Sequence, residues 1–129
     1  MSDIVYRLAD YLADSGFGTM GADIFGGQMP ADTHGIYLMR AGGTMANYTP
    51  IEEAVIDIYS QHIESAKAVE KIEQIKRFIH RMHNTDTGNV YIYTLLVLGD
   101  VEDLSRDLEY MKIYKLSVLV TYRDKALIS

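Results

Sequence analysis

Hydrophobic and polar residues alternate along residues 52–61, which read EEAVIDIYSQ. Three apolar side chains fall on one side of an extended chain here: Ala54, Ile56 and Ile58. Polar side chains fall on the other side: Glu53, Asp57 and Gln61. This period of two is typical of a β-strand with one buried face. The pattern therefore predicts a strand whose apolar face another element must cover.

The spacing of apolar residues becomes helical after this strand. Four apolar side chains fall together on a helical wheel: Ile72, Ile75, Ile79 and Met82. Charged side chains lie opposite them, which is the pattern of a surface helix with one buried stripe. We therefore predict an amphipathic helix over about residues 64–83, ended by the polar, turn-forming run at 84–88.

Two further strands are predicted toward the C-terminus. Residues 89–99, NVYIYTLLVLG, are apolar nearly throughout and rich in β-branched and aromatic side chains, which predicts a strand covered on both faces. Residues 113–123 alternate again, with Tyr114, Leu116, Val118, Val120 and Tyr122 on one side. We expect these two strands to pair antiparallel across an acidic loop at 100–111, which holds at most a turn or two of helix.

The N-terminal part adds smaller elements. An apolar stripe predicts a short helix that Gly16 and Gly18 end: Ile4, Val5, Leu8, Ala9 and Leu12. Ile24 and Phe25 can form a brief edge strand, residues 35–40 a second strand, and residues 41–50 a turn and a long loop. The fold class is therefore α+β: one two-layer domain over residues 1–129, with a mixed, mostly antiparallel sheet of four to five strands packed with two helices.

Composition narrows the functional classes. The 129 residues carry a net charge of −6, which argues against general nucleic-acid affinity because phosphate binding needs a clustered basic face. The absence of cysteine excludes disulfides, thiolate metal sites and a cysteine nucleophile. No apolar run approaches the roughly 20 residues of a membrane span, and we expect neither a signal peptide nor a membrane partner.

Three motifs suggest chemistry, and each lacks its structural context. Residues 16–21 match G-x-G-x-x-G, but a helix precedes them and a loop follows, whereas dinucleotide binding needs a strand before and a helix after. His80 and His83 are three residues apart, yet nothing places a third metal ligand beside them. The carboxylates at 100–109 have Ser105 where an EF-hand loop needs glycine. We therefore predict no catalytic residue, no cofactor and no metal, and a protein that is not an enzyme.

Tyrosine is frequent in this chain, with ten tyrosines against three phenylalanines and no tryptophan. Tyrosine suits surfaces that are apolar on one side and wet on the other. Six of them are candidates for contact surfaces or for core positions with a satisfied hydroxyl: Tyr48, Tyr59, Tyr91, Tyr93, Tyr110 and Tyr114.

The order of these features resembles that of a known protein family. An opening helix leads to a glycine-rich turn, and a strand feeds directly into a long helix. The marker segments between and after them are Asp23–Phe25, Met29-Pro30, Gly42-Gly43, Val55–Ile58, Leu98–Asp100 and Tyr122-Arg123. This order is similar to that of the small tail-terminator, or tail-completion, proteins of long-tailed bacteriophages, which are often called minor capsid proteins.

The resemblance implies a structural protein of the virion, assembled in the host cytoplasm. It implies a homo-oligomer, a six-fold ring on the head-proximal end of the tail tube, which stops tube polymerisation and joins the tail to the head connector. DNA would pass through the ring without specific binding, as an acidic wall would favour. A ring needs a heterologous interface that closes, and an exposed sheet edge is suitable material for it.

We expect the contact surfaces to lie in the loops at 15–30 and 41–50. The candidate interface residues are Phe17, Met20, Phe25, Met29, Met45, Tyr48, Tyr59, Asp100 and Asp103. The alternative function is a small-molecule-binding regulatory α+β domain, which would have a closed pocket lined by tyrosine and methionine.

Overall fold

The computed structural model describes residues 4–26, 34–45, 51–80, 82–87, 90–104 and 112–124. Helix α1 (Ile4–Leu12) continues into a π-helical turn (Ala13–Phe17), in which Gly16 takes a φ of +95° and ends the helix as predicted. The next elements are β1 (Ile24–Gly26), β2 (Gly35–Met45), β3 (Ile51–His62) and α2 (Ser65–His80). The last three are β4 (His83–Asp86), β5 (Val90–Asp103) and β6 (Lys112–Asp124).

The strands form one six-stranded sheet in the order β1-β2-β3-β6-β5-β4. β1 and β2 are parallel, and the other four pairings are antiparallel. The α+β class, the two helices and the antiparallel pairing of β5 with β6 are confirmed. The predicted number of four to five strands is wrong, because the described residues form a sheet of six strands.

One face of the sheet is buried under the helices. Along β3 and β6 the even-numbered side chains are buried: Ala54, Ile56, Ile58, Ser60, Tyr114, Leu116, Val118, Val120 and Tyr122. Helix α2 packs against β3, β6 and β5, while α1 packs against β1 and β2. The two alternating stretches of the sequence therefore form the floor of the core, as their period of two predicts.

Packing stabilises α2 more than its surface charges do. Ile72, Ile75 and Ile79 are fully buried, and each contributes about 1.5–3 kcal/mol. The exposed pair between Lys67 and Glu64, at 3.4 Å, is of the kind that contributes about 0–1 kcal/mol. The helix ends at His80, three residues earlier than predicted, and at Asn84 the backbone takes a φ of +47° within β4.

The strand that was not predicted is β4, which lies mostly in the run predicted to be a turn. Its sequence, HNTD, has no apolar alternation, and it is a strand because its residues pair with Tyr91, Ile92 and Thr94 of β5. That pairing is a tertiary contact, which local composition does not encode.

Two strands are longer than predicted. β2 continues through a register shift between Arg40 and Gly42 and reaches Met45, where a turn and loop were predicted. β5 continues past Gly99 to Asp103 with a register shift between Leu98 and Glu102, where an acidic loop was predicted. In both cases the irregularity lets the strand pass a glycine and keep its partner.

The prediction that β5 is covered on both faces is also wrong. Leu96 and Leu98 are 57% and 39% exposed, so one face of this strand is open. In the part of the chain that the structure describes, neither helix is long and apolar enough to span a membrane.

Candidate functional site

The sheet face that points away from the helices is the first candidate surface, and we call it the open face. On β3 and β6 it carries the odd-numbered residues Val55, Asp57, Tyr59, Lys115, Ser117 and Leu119. Cross-strand register adds Tyr37 and Met39 of β2 and Leu96, Leu98 and Glu102 of β5. Directly paired residues point to the same face, so these side chains form one continuous surface.

An aromatic row crosses one end of the open face. The rings of Tyr37 and Tyr59 stack with centroids 4.5 Å apart, and Phe25 of β1 lies directly beside Tyr37. Burial, and then the neighbouring Tyr59, raise the pKa of Tyr37. Burial and the carboxylate of Asp57 raise the pKa of Tyr59. Both phenols are therefore neutral at physiological pH and can act as hydrogen-bond donors at a contact surface.

Polar pairs lie beside this row. The hydroxyl of Ser117 donates a hydrogen bond of 2.7 Å to Asp57 Oδ1, and the ammonium of Lys115 lies 3.5 Å from Glu102. The Glu102 side chain is 62% exposed, so this ion pair contributes about 0–1 kcal/mol. The hydrogen bond from Ser117 is part-buried and accepted by a carboxylate, so it contributes more than the exposed ion pair does.

An apolar patch lies next to the polar pairs. Leu96 pairs with Leu119, which lies opposite Val55, while Leu98 and Met39 are at the level of Asp57. Met39 is 44% exposed. Exposed leucine and methionine side chains grouped on one sheet face make this patch a candidate contact surface.

A cation and two aromatic rings occupy the far corner of the open face. The guanidinium of Arg123 lies 5.7 Å from the ring centre of Tyr91 and 6.0 Å from that of Tyr93. Arg123 Nε is buried, and no described atom accepts a hydrogen bond from it. The rings hold the charge by cation–π attraction.

The two outer strands cover only part of their neighbours. β1 pairs with Ile36, Tyr37 and Leu38, while β2 continues to Met45. β4 pairs with residues of β5 up to Thr94, while β5 continues to Asp103. Among the described strands, the C-terminal parts of β2 and β5 therefore each pair with a strand along one edge only.

A cavity of about 390 Å³ lies on the helix side of the sheet, and we call it the basic cavity. The ends of β2 and β3 contribute Gly35, Ser60, Gln61 and His62, and α2 contributes Lys67, Glu70, Lys71 and Gln74. The imidazole rings of His34 and His62 stack beside it with centroids 3.9 Å apart.

The structure distributes the predicted interface residues over several places. Phe17 and Met20 are half-buried against the core, and the Phe17 ring contacts Phe78 at 5.2 Å. Phe25 and Tyr59 come together on the open face through Tyr37. Asp100 and Asp103 lie near the end of β5, and Met45 ends β2. Met29 and Tyr48 lie outside the described residues.

Sequence reasoning missed Met39, Leu96, Leu98 and the basic cavity. One signal was present: residues 89–99 are apolar at odd and even positions alike, although the strands predicted at 52–61 and 113–123 alternate. In this sheet one face of that strand is turned toward the core, and the other exposes Leu96 and Leu98. The histidine pair gave no signal, because 28 positions separate the two residues and the strand pairing alone brings them together.

The described residues contain no metal-binding group. No group of three His, Cys, Asp or Glu side chains there could hold a metal ion. His80 is in the last turn of α2 and His83 begins β4, so they do not share a helix face. The glycine motif at 16–21 begins inside the π-helical turn and leads to β1, which is not the setting of a dinucleotide-binding loop.

Comparison with known families gives a match to bacteriophage tail terminator protein over residues 11–123. The chain belongs to this family. The chain is therefore a structural protein of the phage tail. The family resemblance inferred from the order of sequence features is confirmed.

Solved structures agree with the fold of this tail terminator. A chain from the "Virion of native gene transfer agent (GTA) particle" is 14% identical and aligns with a TM-score of 0.55. The alignment covers 95% of this chain and 99% of that chain, so the two share a fold over nearly their whole length. No curated protein matches the chain.

Proposed function

We propose that this tail terminator caps the tail tube at its head-proximal end as a ring, stops tube polymerisation and joins the tail to the head connector. The family membership supports the tail role. The observation that carries the ring is the pair of incompletely covered strands on opposite sides of the sheet.

β2 of one copy can lie beside β5 of the next while both copies stay at the same height along the strand direction. Met39 of β2 and Leu98 of β5 are both at the level of Asp57, and Gly42 and Leu96 are both at the level of Val55. β2 and β5 run in opposite directions, because three antiparallel pairings separate them. When β2 of one copy lies beside β5 of the next, the joint is therefore an antiparallel extension of the sheet.

Such a joint is heterologous, so it repeats from copy to copy and makes a ring when the rotation closes. Met39 would meet Leu98 on the open face, and Leu96 would lie one step along the same seam. Burial of each of these exposed apolar side chains contributes about 1.5–3 kcal/mol at most. We propose a ring of six, the number implied by the family resemblance.

The remaining contacts are proposed for the ends of the ring. Residues 15–30 and 41–50, with Phe17, Met20, Phe25, Met29, Met45, Tyr48 and Tyr59, would contact the tail tube protein or the head-completion protein. Asp100 and Asp103 would lie near the joint between copies. The net charge of −6 supports a conduit that DNA crosses without specific binding. Assembly would take place in the host cytoplasm.

Native mass spectrometry tests the ring. We expect a single closed oligomer six times the mass of the chain, either alone or after mixing with the tail tube protein. A protein that stays monomeric at all concentrations and does not bind the tube would contradict the proposal.

The small-molecule alternative predicted a pocket lined by tyrosine and methionine. The basic cavity has polar and charged side chains and glycine at its wall, with neither residue type among its described lining. No observation of the described residues favours this alternative over the ring.

A further inference from the structure

His62 holds the short connection between β3 and α2. β3 ends at His62 and α2 begins at Ser65. The carbonyl of Glu64 accepts the first hydrogen bond of the helix, from the Ala68 N–H at 3.2 Å, so Glu64 is the N-cap residue. The backbone N–H of an N-cap residue has no partner within the helix. Here it donates a hydrogen bond of 2.9 Å to Nδ1 of His62.

This hydrogen bond exists only while the His62 ring is neutral. Nδ1 accepts through its lone pair, so the single proton of the neutral ring is on Nε2. A second proton would have to bind at Nδ1, which would turn the acceptor into a donor. Two N–H groups would then face each other, and the Glu64 amide would lose its partner.

A second histidine lies against the first. The imidazole rings of His34 and His62 stack with centroids 3.9 Å apart and planes at 30°. His34 directly precedes β2, and Gly35 pairs with Gln61, so the strand register places the two histidines side by side. Two imidazolium cations at this distance repel each other, so the pair binds one proton more readily than two.

Charged side chains approach His62 from the other described elements beside it. On β6, Lys112 is its direct partner in the sheet. On α2, Lys67 forms an exposed ion pair with Glu64 at 3.4 Å. Two more charged residues of α2 line the basic cavity together with His62: Glu70 and Lys71. With three ammonium groups against two carboxylates, these surroundings do not favour a further positive charge on the ring.

The balance of these effects sets the pH at which the ring is charged. Burial lowers the pKa of His62 from its ordinary 6.5, and the neighbouring His34 and Lys67 lower it further, while Glu64 acts in the opposite direction. The unfolded chain therefore binds this proton at higher pH than the folded protein does. The stability that His62 contributes is complete above pH 6.5 and is lost as the pH falls below that value.

We propose that His62 is an acid-sensitive latch, whose neutral ring fastens the start of α2 to the end of β3 and whose protonation releases it. The release is local. A hydrogen bond between the hydroxyls of Ser65 and Tyr114 also joins α2 to the sheet and involves no histidine. The buried side chains Ile72 and Ile75 keep the rest of the helix packed. Acid therefore frees the first turn of α2, which forms one wall of the basic cavity.

Nuclear magnetic resonance of the wild-type protein between about pH 8 and about pH 5 tests the latch. The His62 ring should titrate below pH 6.5, and the 15N shift of the Glu64 amide should change with the same midpoint. Hydrogen exchange of the Ala68 amide reports the first turn of α2. Corrected for the intrinsic exchange rate at each pH, its protection should fall at least about fivefold across this range.

Three asparagine variants separate the latch from general effects of acid. In His62→Asn the side-chain oxygen can accept the N–H two residues on and does not titrate, so Ala68 protection should stay within about twofold across the range. His34→Asn removes the stacked ring and should move the His62 titration to higher pH. His80→Asn is the matched control, because His80 is an exposed histidine at the other end of α2 and should leave both readouts unchanged.

Each readout can overturn the latch. Ala68 protection that stays constant in the wild type, or that falls equally in His62→Asn, would contradict it. So would a Glu64 amide whose midpoint differs from that of the His62 ring. Thermal melts near neutral pH check that the variants fold. If His62→Asn does not fold, His34→Asn decides, because an unshifted His62 titration there would overturn the coupling of the two rings. None of these results depends on the proposed ring.

Discussion

The rings of Tyr37 and Tyr59 stack across β2 and β3 with their centroids 4.5 Å apart and their planes at 7°. The stack lies on the open face, directly beside Phe25 of β1. It therefore stabilises the side of the sheet where β1 and β2 meet the rest of the fold. A rigid aromatic row at this place also presents flat, partly apolar surface to a partner.

Tyr59→Ala should lower the free energy of unfolding by about 1–3 kcal/mol, because it removes the stack and part of the buried ring. Tyr59→Phe keeps the ring and should lose less than about 1 kcal/mol. Denaturant unfolding of both variants measures the difference. Equal losses in the two variants would show that the hydroxyl, and not the stack, is what stabilises this corner.

Gly35 holds β2 close to the turn before β1. Its φ is +152°, and a Cβ at this position would collide with the backbone carbonyl of Asp23. Gly35→Ala should therefore lower the free energy of unfolding by about 2 kcal/mol or more. Gly26→Ala is the matched control, because a Cβ there meets Tyr6 at an ordinary 3.5 Å. If both substitutions are tolerated alike, β1 does not depend on this close approach.

Tyr122 links stability to alkaline pH. Burial, and then the neighbouring carboxylate of Glu52, raise its pKa from 10.0 to about 12. The unfolded chain releases this proton at lower pH than the folded protein does. The stabilising contribution of Tyr122 is therefore complete below pH 10 and is lost as the pH rises toward about 12.

The pH dependence of unfolding in Tyr122→Phe checks this sign. The variant should show a flatter decline of unfolding free energy between pH 10 and about 12 than the wild type. Parallel declines in the two proteins would mean that other groups cause the alkaline loss.

Leu98→Lys should weaken assembly and leave the fold intact. The side chain is 39% exposed and lies at the proposed seam, so the change in unfolding free energy should stay within about 0.5 kcal/mol. Ile63→Lys is the matched control, because Ile63 is 38% exposed and lies between β3 and α2. Sedimentation velocity of both variants compares their association. If the copies join through another surface, Leu98→Lys should associate as well as the wild type. In that case Ile63→Lys would either be equally unaffected or associate more weakly than Leu98→Lys.

The parts of the fold that were predictable have a local period. Residues 52–61 and 113–123 alternate because one face is buried, and the stripe of Ile72, Ile75 and Ile79 repeats at helical spacing. β4 was not predictable, since HNTD is a strand through its partner β5. The lengths of β2 and β5 depend on bulges beside glycine, which sequence reasoning takes for turns.

The candidate site was less predictable than the fold. The tail-terminator family was inferred from the order of weak features, and Tyr59 and Phe25 do share the open face. The seam residues Met39, Leu96 and Leu98 resemble core residues by composition, and only strand register shows that they face outward. The basic cavity joins residues from β2, β3 and α2. Its charged side chains come together only in the folded chain, so no local sequence pattern predicts the cavity.

Electron microscopy of tail tube protein polymerising with and without this protein is the most direct measurement. We predict that tubes formed in its presence stop growing and carry one ring-shaped cap at one end. Leu98→Lys should leave the tubes uncapped and long. Tubes that grow to the same length with and without the wild-type protein, with no cap at either end, would contradict the proposed ring and its role in ending the tail.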